Sequence, residues 1–357
     1  MVLDYIPENV SEEAKKRIQA LAEKETEPVW APGPVCEWLI RHWCEATEDG
    51  NPLYLDEGFA SKSPYGAIVA PPAMLGTWMT PFRWPWPQPE RRPGGAAIHQ
   101  IMKEVLDLPV GIQVDQELEF YHMIKVGDRL CATQRLAWIG PQKKTRLGEG
   151  HFWAIDSIFR NQDGEMVARS RSSFFGYGRG TTEVTAPAAT KGGWSNAIEE
   201  AIRGEETGYQ PRSFKTRYFE DVSEGEKLPT LVMPITITRC VYLASATRDF
   251  SPQHSNHDYA QQRSKTKDMF LNTPFIQGMV GRCLTDWAGP EGVVRRIKIS
   301  MRGNICVGDD LVITGKVIKT YQEDGENRVD VDFDVATQEG PATSATGTVA
   351  LISRSDS

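Results

Sequence analysis

The chain has 357 residues, 40% of them hydrophobic and 25% charged, an ordinary globular composition long enough for two domains with substantial cores. Its net charge of −8 argues against a general nucleic-acid or anionic-membrane surface, because both partners need a positive field. Six scattered cysteines without a Cys-x-x-Cys pair, no basic leader before an apolar core, and no apolar run of about 18 residues together point to a reduced, cytoplasmic protein with no membrane partner.

In chain order, residues 11–25 alternate charged and apolar positions at helical spacing behind Ser11, a predicted N-cap. A second helical pattern over 36–47 leads directly into Asp49-Gly-Asn-Pro-Leu-Tyr54. An apolar helix is predicted at Pro71-Pro-Ala-Met-Leu-Gly-Thr-Trp-Met79, and strand-like runs follow at 114–123 and 131–139 around Val126-Gly-Asp-Arg-Leu130. Asp163-Gly164 marks a turn before a last β-rich stretch, and residues 179–213, rich in Gly, Thr, Ala and charge, read as a connector with a short helix at 195–203.

The remainder repeats this order. Asp249-Phe-Ser-Pro-Gln-His254 restates the earlier phrase with Asp249 for Asp49, Pro252 for Pro52 and His254 for Tyr54. An apolar helix from Gly278 to Trp287, a strand at 293–301, Val307-Gly-Asp-Asp-Leu311, a strand at 312–321 and the Glu339-Gly340 turn then recur in sequence. The implied unit is one helix wrapped by a curled antiparallel sheet, giving an α+β fold with domains at 1–178 and 214–357 and a linker at 179–213.

A single Asp-x-x-Pro-x-His match reads most simply as a turn residue and a satisfied surface histidine. Inside a repeated frame, with histidine in one copy only, Asp249 and His254 read instead as groups able to share one water and exchange its proton, since an imidazole ordinarily titrates near 6.5. Gly278, at the start of the apolar pattern, is expected among the unpaired N–H donors of a helix start, with Pro71 as its donor-less counterpart. Tyr54 replaces the histidine with a phenol, a poor base at neutral pH. His254 and His257 lie three apart, but no matching Cys or carboxylate spacing supports a metal site, and His257 reads as a helix-start surface residue.

These features resemble the MaoC-like hydratase/dehydratase family of hotdog folds, in the double-hotdog form with a FAS1-like dehydratase N-terminal half. The residues that carry the resemblance are Tyr218-Phe-Glu-Asp-Val222, Tyr242 through His254, Gln277-Gly-Met279 and Gly308-Asp309, with Ala46 through Tyr54 and Ile68-Val-Ala-Pro-Pro72 in the first half. The resemblance implies addition or removal of water at the double bond of a 2-enoyl thioester, usually on coenzyme A, with no metal or redox cofactor. It implies Asp249 and His254 as the acid/base pair and Gly278 as the donor to the thioester oxygen. Arg248, Ser251 and Gln277 depart from the Gly, Asn and His common at those positions.

The expected function is therefore an (R)-specific 2-enoyl-CoA hydratase or 3-hydroxyacyl-CoA dehydratase for a bulky or long acyl group, the stretches Asn272–Met279 and Leu284–Gly289 resembling members that act on such chains, steroid side chains included. The alternatives are an acyl-CoA thioesterase, or a non-catalytic acyl-thioester-binding subunit. Expected substrate contacts are Ser251, Gln277, Met279, Tyr54, Trp78 and Arg302, with the first half binding rather than catalysing. Trp78 opens a segment running to Pro93 that places three Trp and a Phe among five prolines, either a rigid surface loop or an apolar lid. Arg295-Arg-Ile-Lys298 and Arg302 either meet coenzyme A phosphates or form a solvated strand face. The expected partners are an acyl-CoA and a second copy of the chain, as a homodimer of double hotdogs.

Overall fold

The computed structural model describes residues 3–83, 97–178 and 214–356. The connector expected at 179–213 and positions 84–93 of the proline-rich segment lie outside the described residues.

Helix α1 (Glu12–Glu23) begins where Ser11 Oγ accepts the Ala14 N–H at 3.2 Å, the cap its sequence predicts. After the short strand β1 (Val29–Trp30), α2 (Glu37–Thr47) ends at Glu48 in the left-handed region, φ 53°. Single-turn helices α3 (Pro52–Leu55) and α4 (Glu57–Ala60) follow, then a 3-10 turn at Pro72–Met74 that runs into α5 (Leu75–Met79), and α6 (Ala97–Val105). Strands β2 (Val110–Phe120), β3 (Cys131–Ile139), β4 (Lys143–Thr145), β5 (Gly148–Arg160) and β6 (Met166–Tyr177) come next. The later residues supply β7 (Leu231–Pro234), α7 (Ile237–Ala246) and α8 (His257–Tyr259), which continues as a π-helical turn at Ala260–Ser264. They end in α9 (Thr273–Ala288), β8 (Val293–Met301), β9 (Asp310–Glu323), β10 (Glu326–Thr337) and β11 (Gly340–Leu351). Among the described residues no helix is long and apolar enough to cross a membrane.

The described chain forms two compact units that are not contiguous halves. Residues 35–77 and 123–127 pack with 214–356, and the rest of the N-terminal stretch packs separately. A boundary at 178 thus separates the sequence repeats, whereas the packing assigns α2, with the Asp49 phrase after it, to the unit that contains Asp249. A helix pair accounts for this: α2 and α7, the repeated helices, pack on each other, with His42 edge-on to Tyr242 at 4.7 Å and bonded to Ser245 Oγ at 3.0 Å.

In the first unit the strands run β1-β3-β5-β6-β2, all antiparallel, with β4 on β5. Helices α1 and α6 cover β3, and Ile18, Ile98, Met102, Leu136, Trp153 and Ile155 fill the space between. His99 of α6 sits against Phe174 and Trp153, and burial pushes its imidazole down to about 4.

The second unit orders its strands β8-β11-β10-β9-β7. β10 shows why: Val329, Val331, Phe333 and Val335 are buried at period two, while Asp332 and Asp334 between them are exposed. Helix α9 lies across β8, β9 and β11 with almost every side chain buried, as an all-round apolar helix must be. Gly347 permits this approach, because a Cβ there would stand 2.6 Å from Leu284 of α9.

The repeat read from the sequence is present in the backbone of this unit. Gly127 N–H donates to Val35 at 2.9 Å as Gly308 N–H does to Ile235 at 2.9 Å, and Ala70 N–H to Ile124 at 2.8 Å as Leu271 N–H does to Ile305 at 2.9 Å. This register pairs Pro71 with Asn272, both N-cap residues, and Thr77 with Gly278. The expected pairing of Pro71 with Gly278 is therefore corrected: a short apolar motif aligns equally well in several registers, and only the hydrogen bonds select one.

His99 carries a stability prediction. Its folded-state value near 4 lies below the unfolded 6.5, so the unfolded chain binds the extra proton between those values and stability falls as pH drops from about 6.5 to about 4. His99→Phe should flatten that part of a urea-denaturation pH profile relative to the unaltered chain; an unchanged slope would assign the loss to other groups.

Candidate active site

Helix α7 is capped by Thr247, whose Oγ1 donates to the Leu243 carbonyl at 2.8 Å, and Arg248 then takes the left-handed conformation, φ 58°. That reversal turns the chain so that Asp249 heads an Asx turn: its Oδ1 accepts the Ser251 N–H at 3.2 Å and the Ser251 hydroxyl at 2.7 Å. Pro252 starts a 3-10 turn that ends at His254. The earlier phrase folds the same way, with Thr47 Oγ1 on the Trp43 carbonyl at 2.9 Å, Glu48 left-handed, and Asp49 Oδ1 accepting the Asn51 N–H at 3.1 Å.

With Oδ1 occupied, Asp249 turns Oδ2 toward His254 Nε2 at 3.5 Å. The other ring nitrogen of His254, Nδ1, is 2.7 Å from the Phe270 carbonyl, which can only accept, so Nδ1 carries the hydrogen and Nε2 of the neutral ring is a lone-pair acceptor. His254 is 5% exposed and edge-on to Phe270, whereas the Asp249 side chain keeps 33% exposure. A carboxylate oxygen and an imidazole nitrogen, both acceptors, thus face one small space from a firmly held ring.

Asn272, which the sequence reading missed as a site residue, links this turn to α9. Its Oδ1 caps the helix at the Phe275 N–H, 3.0 Å, and its Nδ2 donates to Thr247 Oγ1 at 2.7 Å. The signal was available, since Asn-Thr-Pro before an apolar run is a strong helix start.

The other expected residues distribute differently. Gly278 is the sixth residue of α9, beyond the first four N–H groups that a helix leaves unpaired, so its expected place at the helix start is corrected. Its packing reason is explicit: a Cβ there would lie 2.7 Å from Trp43 and 3.4 Å from Thr47 of α2. Gln277 and Met279 flank it, both buried, and Gln277 Nε2 has no hydrogen-bond partner among the described residues. Tyr54, in the position of His254, is fully enclosed; burial first, then the Asp49 carboxylate, hold its phenol well above the usual range, so it stays neutral. Trp78 is buried at 4% exposure, with its indole N–H unpartnered among the described residues. Arg302 is exposed just past β8, and its backbone N–H donates to the Ala342 carbonyl at 3.0 Å. Arg295 pairs with Glu326, and Arg296 donates to Thr348 Oγ1 at 3.3 Å, so these two arginines are engaged within the sheet face. His257, the first residue of α8, directs Nδ1 to Asp268 Oδ1 at 2.8 Å.

Comparison with known proteins agrees with this frame. The model of the FAS1-like dehydratase domain region matches residues 33–170. A 3-oxo-4,17-pregnadiene-20-carboxyl-CoA hydratase beta subunit of Mycobacterium tuberculosis is 33% identical over 106 residues, covering 26% of this chain and 81% of that protein. The chain belongs to the MaoC-like hydratase/dehydratase family. A probable enoyl-CoA hydratase alpha subunit of Thermomonospora curvata is 33% identical over 175 residues, 49% of this chain and 55% of that protein, so the chain spans about half that relative's length. Among solved structures, a MaoC-like dehydratase superposes with TM-score 0.66 at 17% identity over 93% of this chain and 100% of that one. A Mycobacterium tuberculosis protein described as a double hotdog gives 0.55 at 12% identity over 92% of this chain and 96% of that one. The fold is a double hotdog.

Within the MaoC-like frame the unusual Arg248 has a physical reading. The residue before the aspartate must adopt positive φ, which glycine does freely and any other residue only at a cost of about 1–2 kcal/mol.

Gly278→Ala should destabilise the fold by roughly 1–3 kcal/mol through overpacking against Trp43, read from the urea midpoint. An unshifted midpoint would mean that α2 and α9 yield at no cost and that the glycine is kept for another reason.

Proposed function

We propose that this chain adds water to, or removes it from, 2-enoyl thioesters, acting as an (R)-specific enoyl-CoA hydratase or 3-hydroxyacyl-CoA dehydratase. The observation that carries the reading is the paired acceptor geometry, Asp249 Oδ2 at 3.5 Å from a His254 Nε2 whose ring is fixed by the Phe270 carbonyl. A water donating one hydrogen to each acceptor is held with its oxygen lone pair free to attack the β-carbon. As the C–O bond forms, one acceptor takes the water's proton and the double-bond electrons move to the thioester oxygen as an enolate. A proton then passes from the pair to the α-carbon, so one water is added and the pair returns to its starting state. The enolate is favoured by the positive end of α9, which Asn272 anchors beside Thr247.

The likeness to both a hydratase alpha subunit and a hydratase beta subunit supports the further reading that this chain joins in one polypeptide two parts that those relatives divide. A bulky acyl group, carried on coenzyme A and lined by the first repeat, is the substrate class we assign. No cofactor beyond the coenzyme A of the substrate is needed for this proton chemistry.

Asp249→Asn and His254→Ala should each lower the rate of enoyl-CoA hydration by roughly 10²–10⁴ with the fold intact by circular dichroism, because each removes one acid/base contribution. Near-normal rates in either variant would place the chemistry elsewhere, and thiol release without loss of enoyl absorbance would make the protein a thioesterase. In the first repeat, Asp49→Asn keeps an acceptor for the Asn51 N–H and should leave the chemical step nearly unchanged. A collapse equal to that of Asp249→Asn, in single-turnover kinetics, would instead mean two working sites.

A further inference from the structure

His254 and His257 lie three residues apart on the segment running from Pro252 into α8, and the chain opposite them presents the Phe270 carbonyl and the Asp268 carboxylate two residues apart. Each histidine commits Nδ1 to one of these partners, at 2.7 Å for His254 and 2.8 Å for His257. The two contacts form two rungs between the same two segments. Asp268 is 9% exposed, and the same Oδ1 that meets His257 also accepts the Met269 N–H at 2.6 Å. The segment carrying Phe270 is held on its other side by Leu271 N–H to Ile305 at 2.9 Å and Val307 N–H to Met269 at 2.9 Å. Just before Asp268, Lys267 Nζ bonds the buried Asp309 at 2.8 Å and Glu339 at 2.8 Å.

We infer that Asp268, gripped by His257, is a positioning residue that fixes the Phe270 carbonyl and through it the tautomer and aim of His254. The inference rests on the reading of His254 as the proton-transfer group. Its support within the molecule is the asymmetry between the repeats. The backbone register that pairs Ile68 with Met269 places Ala67 opposite Asp268 and Gly66 opposite Lys267, while the N-caps Asp56 and Asn256 place Glu57 opposite His257. The repeat with tyrosine in place of the histidine therefore lacks both members of the second rung and the lysine beside it. A device needed only to fold the turn would be required in both copies, since the two turns share their Asx bonds and the backbone bonds Tyr54 N–H to Asn51 and His254 N–H to Ser251, each 3.0 Å. The titratable groups facing Asp268 are His257 and the Cys240 and Cys306 thiols, with the neighbouring Lys267 turned to Asp309 and Glu339; Asp249 faces His254.

The test uses the full chain with ¹⁵N-labelled histidine and a 2-enoyl-CoA such as trans-2-octenoyl-CoA. Asp268→Ala should lower kcat about 10-fold with KM changed less than about twofold, shift the acidic limb of the kcat–pH profile, and replace the single Nδ1–H tautomer signal of His254 by an exchanging mixture. Asp268→Asn, which keeps an oxygen to accept both N–H groups, should recover most of the rate and the single tautomer. Asp268→Ala with an unchanged pH profile and an unchanged His254 signal would overturn the inference, even if its thermal midpoint falls, because a merely structural role moves stability alone. Should Asp268→Ala fail to fold, His257→Leu removes the same rung from the opposite segment and is held to the same two readouts. If the unaltered chain turns over no enoyl-CoA, the hydratase reading fails, and the tautomer signal still decides the positioning role.

Discussion

Helix α9 has to be buried on nearly every side, and the second unit is arranged around that requirement. A helix with one apolar stripe needs a single covering surface, whereas Phe275, Ile276, Met279, Val280, Cys283, Leu284 and Trp287 occupy several. The sheet supplies one surface and opens it with Gly347, and α2 supplies another and reaches it through Gly278. Arg282 is the costly exception: at 2% exposure its guanidinium must be satisfied, and it donates to the Thr47 carbonyl at 2.6 Å and to Asp286 at 3.3 Å. The bond to Thr47 places a cation at the C-terminus of α2, where the helix dipole favours it.

The site inherits its rigidity from this packing. Because α9 is fixed, its cap Asn272 is fixed, and Asn272 holds Thr247 at the point where the chain reverses into Asp249. The imidazole is then set from the opposite side by a backbone carbonyl that belongs to a hydrogen-bonded segment. Backbone acceptors cannot be retuned by a rotamer change, which makes them good anchors for a ring that must present one defined nitrogen.

The two repeats share one backbone and differ in side chains. Positive φ at Glu48 and Arg248, the threonine before each, and the Asx turn after each are common to both. The differences that bear on the site are in side chains: Tyr54 for His254, Pro71 for Asn272, and Ala67 for Asp268. A buried neutral phenol preserves packing volume in place of the imidazole and is a poor base near neutral pH.

Caps, period-two burial and repeated phrases are local signals, and whatever they encode could be read before any coordinates. They disclosed the helices that begin behind Ser11 and Cys36, the strands at 131–139 and 293–301, and the duplication around Asp49 and Asp249. The Asp249 and His254 pair was legible for the same reason, since both sit in one short turn. Long-range packing settled the rest: that α2 belongs with the unit of the second repeat, that Gly278 lies within a helix close against Trp43, and that Pro71 answers to Asn272. It also settled which atoms hold His254. The Phe270 carbonyl and the Asp268 carboxylate come from a segment whose approach depends on backbone pairing with Ile305 and Val307, and no local pattern of residues encodes that distance.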